Sequence, residues 1–304
     1  MGEVVAGRTP TGKTPTGKTL NDKKTLITGA ASGIGRATAL AAGRAGARLF
    51  LTDINAAELD AAVAEVEAAG GKVEYAQALD ISDFDAVTAF GAAVHEKTPS
   101  LDVLMNIAGI SAWGTVDNLE HRHWRSMVEV NLMGPIHVIE TFIPPMIAAG
   151  RGGALVNVSS AAGLIALPWH AAYSASKYGL RGVSEVLKFD LRRHGISVHL
   201  VAPGAVKTPL MNTVEIAGID RNDPEVERWV RRFEHRAVTP EKVAQNILAG
   251  IAKNTFLIHT SPDIRVAYFW KRKFAWPYER VMQALNDRFS SLLRKHKSRN
   301  APQP

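Results

Sequence analysis

The chain has 304 residues, is 46% hydrophobic and 21% charged, and contains no cysteine, which is typical of a large globular core and excludes disulfides, cysteine zinc sites and thiol catalysis. Its net charge of +7 comes from the two ends, because residues 1–24 carry five Lys/Arg against two Asp/Glu, residues 263–304 carry ten against three, and residues 25–262 carry 21 against 24. Since the central part is slightly acidic, we predict that it binds no nucleic acid.

Residues 1–22 are predicted to form a disordered basic arm. Within it, residues 7–14 and 12–19 each match the phosphate-binding pattern G-x-x-x-x-G-K-[ST]. This pattern binds nucleotides where a buried strand precedes the glycine loop and a helix follows it, and the sequence indicates neither here. Pro10 and Pro15 also remove backbone donors from the loops. We therefore interpret the stretch as a low-complexity repeat rather than an ATP-hydrolysing site.

The central part, residues 23–262, alternates short apolar runs with longer helical patterns. The predicted strands are TLIT, ARLFLT, KVEYAQAL, LDVLMN, GALVNVS, ISVHLVA and TFLIHT. The predicted helices between them are ALAAGRAG, AAELDAAVAEVEAAG, DAVTAFGAAVHEK, WRSMVEVNLMGPIHVIETFIPPMI and AYSASKYGLRGVSEVLKFDLRR. Continuous apolar strands separated by helices indicate βαβ units around a buried parallel sheet. We predict a single catalytic domain of the α/β class, with the doubly wound parallel sheet of the Rossmann fold.

Residues 209–238 interrupt this alternation between the last two predicted strands. Apolar residues recur there at helical spacing, and they are Val226, Trp229, Val230 and Phe233. At the carboxyl edge of such a sheet the pattern fits either a substrate lid or plain surface packing, and we predict a lid.

A glycine-rich turn follows the first predicted strand. Gly29, Gly33 and Gly35 in TGAASGIG lie between a strand and a helix, where backbone N–H groups bind a pyrophosphate. Asp53 is the last residue of the second predicted strand. A carboxylate at this position accepts hydrogen bonds from the adenosine ribose and repels a 2′-phosphate. Asp53 could instead be the N-cap of the following helix. Ser32 is not the basic residue that such a phosphate would favour. We therefore predict NAD as the cofactor, in preference to NADP.

Tyr173 and Lys177 form the motif Y-x-x-x-K, an i,i+4 pair on one helix face. An ammonium group beside a phenol stabilises the phenolate, and lowering a tyrosine pKa from ~10 toward 7 requires about 4 kcal/mol. Such a tyrosine exchanges a proton with an alcohol oxygen near neutral pH. Most isolated pairs of this kind are solvated, so the value of the motif depends on the motifs around it.

Taken together, these motifs resemble those of the short-chain dehydrogenase/reductase superfamily, in its subgroup with TGxxxGxG and YxxxK. The similarity runs from Lys24 to Thr260 and includes TGAASGIG, ALDISD, NIAG, VNLMG, NVSSAAG, YSASK and PGAVKT, with NIAG departing from the family's NNAG. The resemblance implies an oxidoreductase that interconverts a secondary alcohol and a ketone. The cofactor-binding residues that it implies are Gly29, Ser32, Gly33, Ile34, Gly35, Asp53, Asp80, Ile81, Asn106, Tyr173, Lys177, Pro203, Gly204, Val206 and Thr208.

The resemblance also implies four catalytic residues, which are Asn131, Ser160, Tyr173 and Lys177. Ser160 is preferred over Ser159 because the family places its serine 13 residues before the tyrosine. Tyr173 is the implied acid/base, and Lys177 lowers its pKa and binds the nicotinamide ribose. Ser160 holds the substrate oxygen, and Asn131 supports a water-linked proton relay. The histidine spacing predicts no metal site, and a homodimer or homotetramer is expected.

The substrate is predicted to be a small hydrophobic alcohol or ketone. The apolar residues near the expected pocket are Trp113, Leu164, Leu167, Trp169 and Trp229. His170 precedes Tyr173 by three residues and is either a substrate contact or a solvated loop residue. The alternative function is a non-catalytic dinucleotide-sensing or scaffold protein, against which the intact serine, tyrosine and lysine argue.

Residues 263–304 lie outside the resemblance and are predicted to form a basic, aromatic helical extension. A helical stripe there consists of Val281, Leu285, Phe289, Leu292 and Leu293, and the aromatic residues before it are Tyr268, Phe269, Trp270, Phe274, Trp276 and Tyr278. Three interpretations are open: packing on the same or a neighbouring subunit, peripheral contact with an anionic membrane, and binding of a partner protein. The N-terminus lacks a signal-peptide pattern, so we expect a cytoplasmic protein, with or without this membrane contact.

Overall fold

The computed structural model describes residues 20–219, 228 and 237–299. The phosphate-binding patterns of residues 7–19 therefore lie outside the described residues. The helical stripe of the predicted lid, within residues 226–233, also lies outside them, apart from Arg228. These two predictions stay predictions.

The chain packs against the domain from Leu20 onward. Leu20 is buried in the core, and the Asp22 N–H donates to the Gly46 carbonyl over 2.8 Å. The arm predicted for residues 1–22 thus extends too far, because residues 20–22 already belong to the domain. The sequence did not indicate this, since a single leucine carries no periodicity.

A seven-stranded parallel sheet forms the centre of the molecule, in the order β3-β2-β1-β4-β6-β7-β9. Its strands are β1 (Lys24–Thr28), β2 (Arg48–Asp53), β3 (Lys72–Ala78), β4 (Val103–Asn106), β6 (Gly153–Val158), β7 (Ile196–Ala202) and β9 (Leu257–His259). Each coincides with a predicted apolar run, and the strand order confirms the doubly wound α/β fold. Two short strands, β5 (Ala112–Trp113) and β8 (Glu215–Ile216), pair with each other outside this sheet.

Helices cover both faces of the sheet. The described α-helices are α1 (Gly33–Arg44), α2 (Ala56–Ala68), α3 (Phe84–Lys97), α4 (His121–Val128), α5 (Gly134–Ala149), α6 (Ala171–Asp190), α7 (Pro209–Thr213), α8 (Pro240–Ala252), α9 (Pro262–Lys273) and α10 (Ala275–Arg299). Side chains of α1, α2 and α8 pack on one face, and those of α3, α5 and α6 pack on the other. The long helix predicted around residues 124–147 is divided by a π-helical turn, Glu129–Met133, between α4 and α5.

The core explains why the strands contain runs of consecutive apolar residues, as in LFL of β2. Leu49 and Leu51 pack on the face covered by α1, whereas Phe50 between them packs on the opposite face with Phe90 and Phe142. Because successive side chains of a strand point to opposite faces, a sheet buried on both sides needs apolar residues without alternation.

One described helical stretch, His121–Ala149, is long and apolar enough by length and composition to cross a membrane. Its Val138, Phe142 and Met146 are buried in the core cluster beneath the sheet. Packing of this kind is that of a core helix.

The C-terminal extension contains α9 and α10. Ile264 of α9 is buried and packs with Leu164 and Ile165, which belong to the loop between β6 and α6. Tyr268 and Tyr278 pack partly against the same cluster. Packing on the same chain, one of the three interpretations of this segment, is therefore present on one side of these helices.

Candidate active site

The loop after β1 has a shape that glycine permits and other residues do not. Gly29 and Gly33 have φ values of +70° and +50°, in the left-handed region that side chains disfavour. A Cβ on Gly35 would collide with the Gly29 carbonyl oxygen. The first turn of α1 therefore approaches the strand closely, and its free N–H groups open onto the loop in the arrangement that binds phosphate.

A cleft of about 400 Å³ lies in front of this loop, past the carboxyl ends of β1, β2 and β4, where ligands of open α/β sheets bind. The predicted cofactor residues that line it are Gly29, Ser32, Gly33, Ile34, Gly35, Asp53, Asp80, Ile81 and Thr208. Ile107 and Gly109 of the NIAG motif also line it, together with residues outside the predicted motifs that include Ile110, Val130, Pro209 and Leu210. The structure thus brings most of the predicted cofactor residues into one cleft.

Asp53 lies on the cleft wall, where backbone groups hold its carboxylate. Its Oδ2 accepts from the Ala31 N–H over 3.0 Å and its Oδ1 from the Asn55 N–H over 3.1 Å. The N-cap of α2 is Asn55, whose Oδ1 accepts from the Glu58 N–H, so the N-cap interpretation of Asp53 is wrong. A carboxylate has about four acceptor sites, which leaves Asp53 able to accept from a ligand hydroxyl.

The cleft is closed from two further sides by Asp80 and Thr208. Asp80 Oδ1 accepts from both the backbone N–H and the hydroxyl of Ser82, over 2.8 and 2.7 Å. Thr208 faces the glycine loop, since a Cβ on Gly33 would lie 2.9 Å from Thr208 Cγ2. The loop after β7 therefore contacts the loop after β1 at the edge of the cleft.

The described residues that line the cleft do not include six predicted cofactor residues, which are Asn106, Tyr173, Lys177, Pro203, Gly204 and Val206. The buried Asn106 amide donates to Asn157 Oδ1 over 2.9 Å and so links β4 to β6. The Pro203 carbonyl accepts from the Ala161 N–H over 2.7 Å. Asn106 and Pro203 thus make hydrogen bonds within the domain and do not line the cleft.

Tyr173 and Lys177 project from the first turns of α6, with Lys177 buried and Tyr173 partly buried. Lys177 Nζ lies 5.8 Å from the centroid of the Tyr173 ring and donates to the Val158 carbonyl over 3.1 Å. The Ser160 side chain hydrogen-bonds Tyr173, whereas Ser159 Oγ donates to the Lys177 carbonyl over 2.9 Å. The structure therefore places Ser160, not Ser159, beside the tyrosine.

Burial dominates the electrostatics of this cluster. It raises the pKa of the Tyr173 phenol, and the hydrogen bond from Ser160 lowers that pKa by less. It also lowers the pKa of the Lys177 ammonium to about 8. Desolvation of the phenolate is thus the larger effect on the pKa of Tyr173 in this structure, and the lowering of that pKa by Lys177 stays a prediction.

Asn131 lies in the π-helical turn and is fully buried. Its amide exchanges two hydrogen bonds of 2.9 Å with the backbone of Ile110. A Cβ on Gly109 would lie 2.8 Å from Asn131 Oδ1 and 3.2 Å from Lys177 Nζ, so Asn131, the cleft-lining Gly109 and Lys177 are neighbours. The Asn131 side chain thus anchors the loop beside the lysine, and π turns often occur at functional sites.

His170 is buried beside Tyr173, so its interpretation as a solvated loop residue is wrong. Its ring centroid lies 4.6 Å from that of Trp113 and 6.3 Å from that of Tyr173, and its Nδ1 is 2.6 Å from the Pro168 carbonyl. Burial lowers the pKa of His170 to about 4. Because the partner Trp113 is distant in sequence, no local pattern indicated this contact.

The predicted pocket residues divide into two groups. Trp113 and Trp169 pack with Val214 and Ile216 in a cluster next to His170. Leu164 is fully buried and Leu167 partly buried, and both pack in the cluster that contains Ile264 of α9. Trp229 lies outside the described residues. The structure thus places Trp113 and Trp169 beside His170 and makes Leu164 a core residue; that the two tryptophans contact substrate stays a prediction.

Sequence reasoning also missed Thr28, the last residue of β1. Thr28 Oγ1 accepts from the N–H groups of Ile107 and Ala108, over 3.0 and 3.2 Å. This hydroxyl therefore fixes the NIAG loop against the glycine loop. The threonine that precedes the first glycine in TGAASGIG was the available signal.

The family model described as short chain dehydrogenase matches residues 23–217. This chain belongs to the short-chain dehydrogenase/reductase family. As a member of that family, it is an NAD(P)-dependent dehydrogenase/reductase that acts on a CH–OH group.

Two relatives illustrate the range of the family. A 3beta-hydroxysteroid dehydrogenase from Mediterraneibacter gnavus is 34% identical over 244 residues, which cover 75% of this chain and 87% of the relative. The 3-oxoacyl-[acyl-carrier-protein] reductase FabG from Thermotoga maritima is 38% identical over 191 residues, which cover 63% of this chain and 77% of the relative.

Solved structures of the family share the fold. A short chain dehydrogenase/reductase from Burkholderia phymatum in complex with NAD is similar, with a TM-score of 0.77, 28% identity, and coverage of 84% of this chain and 95% of that one. A metagenomic short-chain oxidoreductase in complex with NADP has a TM-score of 0.63, 34% identity, and coverage of 80% and 97%. Similar members of the family therefore bind either dinucleotide.

Proposed function

We propose that this family member interconverts a hydrophobic secondary alcohol and the matching ketone, with NAD as the preferred cofactor and Tyr173 as the acid/base. The main observation behind the proposal is that Ser160, Tyr173 and Lys177 lie together in one cluster beside the cleft. Gly109 connects the two, because it lines the cleft and a Cβ on it would lie 3.2 Å from Lys177 Nζ.

The residues of the cleft fit a dinucleotide. The glycine loop gives the N-terminus of α1 the close approach that a pyrophosphate needs, so Gly29, Gly33 and Gly35 would hold that group. The Asp53 carboxylate would accept from the adenosine ribose and repel a 2′-phosphate, which supports NAD over NADP. When bound, the dinucleotide donates or accepts the hydride and, in its oxidised form, adds a positive charge to the site.

Tyr173 exchanges the proton of the reaction in this proposal. In the reducing direction its hydroxyl donates to the carbonyl oxygen of the substrate, and in the oxidising direction the deprotonated phenol takes the proton of the alcohol. Because burial raises the pKa of Tyr173, the chain alone holds the phenol protonated, the form required for reduction. Oxidation requires further stabilisation of the phenolate by positive charge nearby.

Ser160, Lys177 and Asn131 orient and stabilise this proton transfer. Ser160 Oγ accepts from the Ala162 N–H over 3.1 Å, so its own hydrogen is available to the reacting oxygen or to Tyr173. Lys177, with a pKa of about 8, supplies positive charge near neutral pH and would bind the nicotinamide ribose. Asn131 holds the Gly109–Ile110 loop in place beside the lysine.

The apolar surroundings of the cluster support a hydrophobic substrate. Trp113, Trp169, Val214 and Ile216 form an apolar group next to His170, whose imidazole is neutral near pH 7. Such a wall favours carbon-rich substrates over small diols, since it desolvates them without offering charged partners.

The test is a spectrophotometric screen of steroids, long-chain secondary alcohols and small diols with NAD and with NADP. We expect turnover with hydrophobic alcohols and a kcat/KM for NAD that is at least about tenfold above that for NADP. The reason is that a contact between the Asp53 carboxylate and a 2′-phosphate places like charges together, and a cost of about 1.4 kcal/mol corresponds to a factor of ten. A protein without turnover on any substrate, or with a preference for small diols, would contradict the proposal.

A single substitution tests the preference for NAD over NADP. Asp53→Asn removes the negative charge and keeps one acceptor for the backbone N–H groups that Asp53 binds. We expect the NAD-to-NADP ratio of kcat/KM to fall about tenfold or more. Glu58→Gln, an exposed carboxylate in the first turn of α2, is the matched control. A wild-type preference for NADP would overturn the assignment of Asp53.

A further inference from the structure

Helix α9 has an inner face that binds its own domain. Ile264 is buried against Leu164, and the Tyr268 hydroxyl accepts from Arg181 Nη2 over 2.9 Å. Lys271 Nζ donates to the Leu164 carbonyl over 2.8 Å. These contacts lie at helical spacing along one side of α9 and therefore fix which side faces outward.

The outer side of α9 and the start of α10 expose a large apolar patch. Its five residues, which we call the aromatic patch, are Val266, Phe269, Trp270, Phe274 and Trp276, each between 45% and 67% exposed. Phe274 lies in ring contact with both Trp270 and Phe269, at centroid distances of 4.8 and 6.5 Å. Phe269, Trp270 and Phe274 are therefore joined through Phe274, and Val266 and Trp276 lie within four residues of them in the chain. A group of exposed apolar side chains of this kind marks an interaction site rather than scattered exposure.

Exposed basic side chains lie on the same two helices as the aromatic patch. The exposed residues Arg265, Arg272, Lys273 and Arg280 lie on the same two helices, and the Arg280 guanidinium lies 5.3 Å from the Trp276 ring. Residues 263–304 carry ten Lys/Arg against three Asp/Glu, whereas residues 25–262 carry 21 against 24. The segment of the chain that contains the patch therefore carries a net charge of +7, against −3 for residues 25–262.

We propose that the aromatic patch docks this enzyme on an anionic lipid surface. Aromatic residues interleaved with Lys and Arg are the composition of helices that lie in the membrane interface, where rings enter the headgroup region and cations meet anionic lipid. A second copy of the chain is a poorer occupant, because a two-fold contact would place the two basic surfaces against each other.

Docking through this patch would also orient the enzyme. The inner face of α9 contacts Leu164, in the loop between Ser160 and Tyr173. The loop that borders the proposed active site would therefore lie on the membrane side of the domain. The proposed active site would then face the membrane, in which apolar compounds dissolve. Membrane docking extends the proposed function, and the proposed function does not require it.

The test is co-sedimentation of the full-length protein with phosphatidylcholine vesicles, with and without phosphatidylserine, at low and high salt. We expect binding to the vesicles that contain phosphatidylserine, and we expect added salt to weaken it. The double variant Trp270→Ser/Trp276→Ser should bind about tenfold more weakly, and Arg272→Glu/Lys273→Glu should also bind more weakly. The matched control is Val186→Ser/Phe189→Ser, which removes exposed apolar side chains from α6.

The mass of each variant in solution is measured in parallel by sedimentation velocity. The proposal is overturned if wild type does not bind the anionic vesicles, or if Trp270→Ser/Trp276→Ser binds as well as the control. It is also overturned if this double variant dissociates an oligomer while wild type ignores the vesicles, since the patch would then be an interface between copies. Turnover of the variants, measured separately, tests the proposed function and not the docking.

Discussion

At the residue scale, the charge of Lys177 depends strongly on the fold. Burial lowers its pKa to about 8, whereas a lysine in the unfolded chain has a pKa of ~10.4. Between these pH values the unfolded chain binds the proton and the folded chain does not. The free energy of unfolding therefore rises with pH through this window, because the unfolded state binds more protons there.

This difference predicts the pH dependence of a Lys177→Met variant. Relative to the variant, wild type should gain up to about 3 kcal/mol of stability between pH 8 and pH 10.4, since one pKa unit corresponds to ~1.36 kcal/mol. Denaturant unfolding of both proteins across this range measures the difference directly. Curves that stay parallel would mean that Lys177 titrates as an ordinary solvated lysine.

At the element scale, α9 and α10 hold the loop between Ser160 and Tyr173. Besides the bond from Lys271 to the Leu164 carbonyl, the Ala166 N–H donates to the Tyr278 hydroxyl over 2.7 Å. The family model ends at residue 217, so both hydrogen bonds are made by a part of the chain that the model does not match. The extension therefore stabilises the border of the proposed active site.

The variant Lys271→Met tests the hydrogen bond from Lys271 to the Leu164 carbonyl. It leaves the carbonyl of the buried Leu164 without its donor, which costs roughly 1–3 kcal/mol. We expect a lower free energy of unfolding and a raised KM with a smaller change in kcat, because the loop borders the substrate rather than the proton transfer. Lys273→Met, an exposed lysine on the same helix, is the matched control. Equal effects of the two variants on stability and KM would show that the hydrogen bond from Lys271 to Leu164 does not stabilise the loop.

The elements also show which features of the fold could be predicted from the sequence. The strands were predictable because a sheet buried on both faces needs continuous apolar runs, as in LFL of β2. The π turn at Asn131 was not, since helical periodicity continues through it. The positions of His170 and Leu164 were missed for a related reason, because their partners Trp113 and Ile264 are distant in the chain.

At the scale of the whole molecule, residues 20–22 already pack on the domain. Deleting residues 1–19 should leave folding and turnover unchanged, whereas deleting residues 1–22 removes a buried leucine and should cost about 1.5–3 kcal/mol. Lys18→Ala should have no effect, although that lysine would be essential in a phosphate-binding loop. Thermal unfolding of the two truncations separates these outcomes, and a loss of turnover on removing residues 1–19 would give the arm a function.

The central claim is that Tyr173 exchanges the proton with the substrate oxygen. Its most direct test compares Tyr173→Phe with wild type on the best substrate of the screen, by the absorbance of NADH, while NAD binding is measured by fluorescence. Only the hydroxyl is lost, so we expect kcat to fall by about 10²–10⁴ and the Kd for NAD to stay within a factor of about two. More than a few per cent of wild-type turnover in the variant would contradict the account.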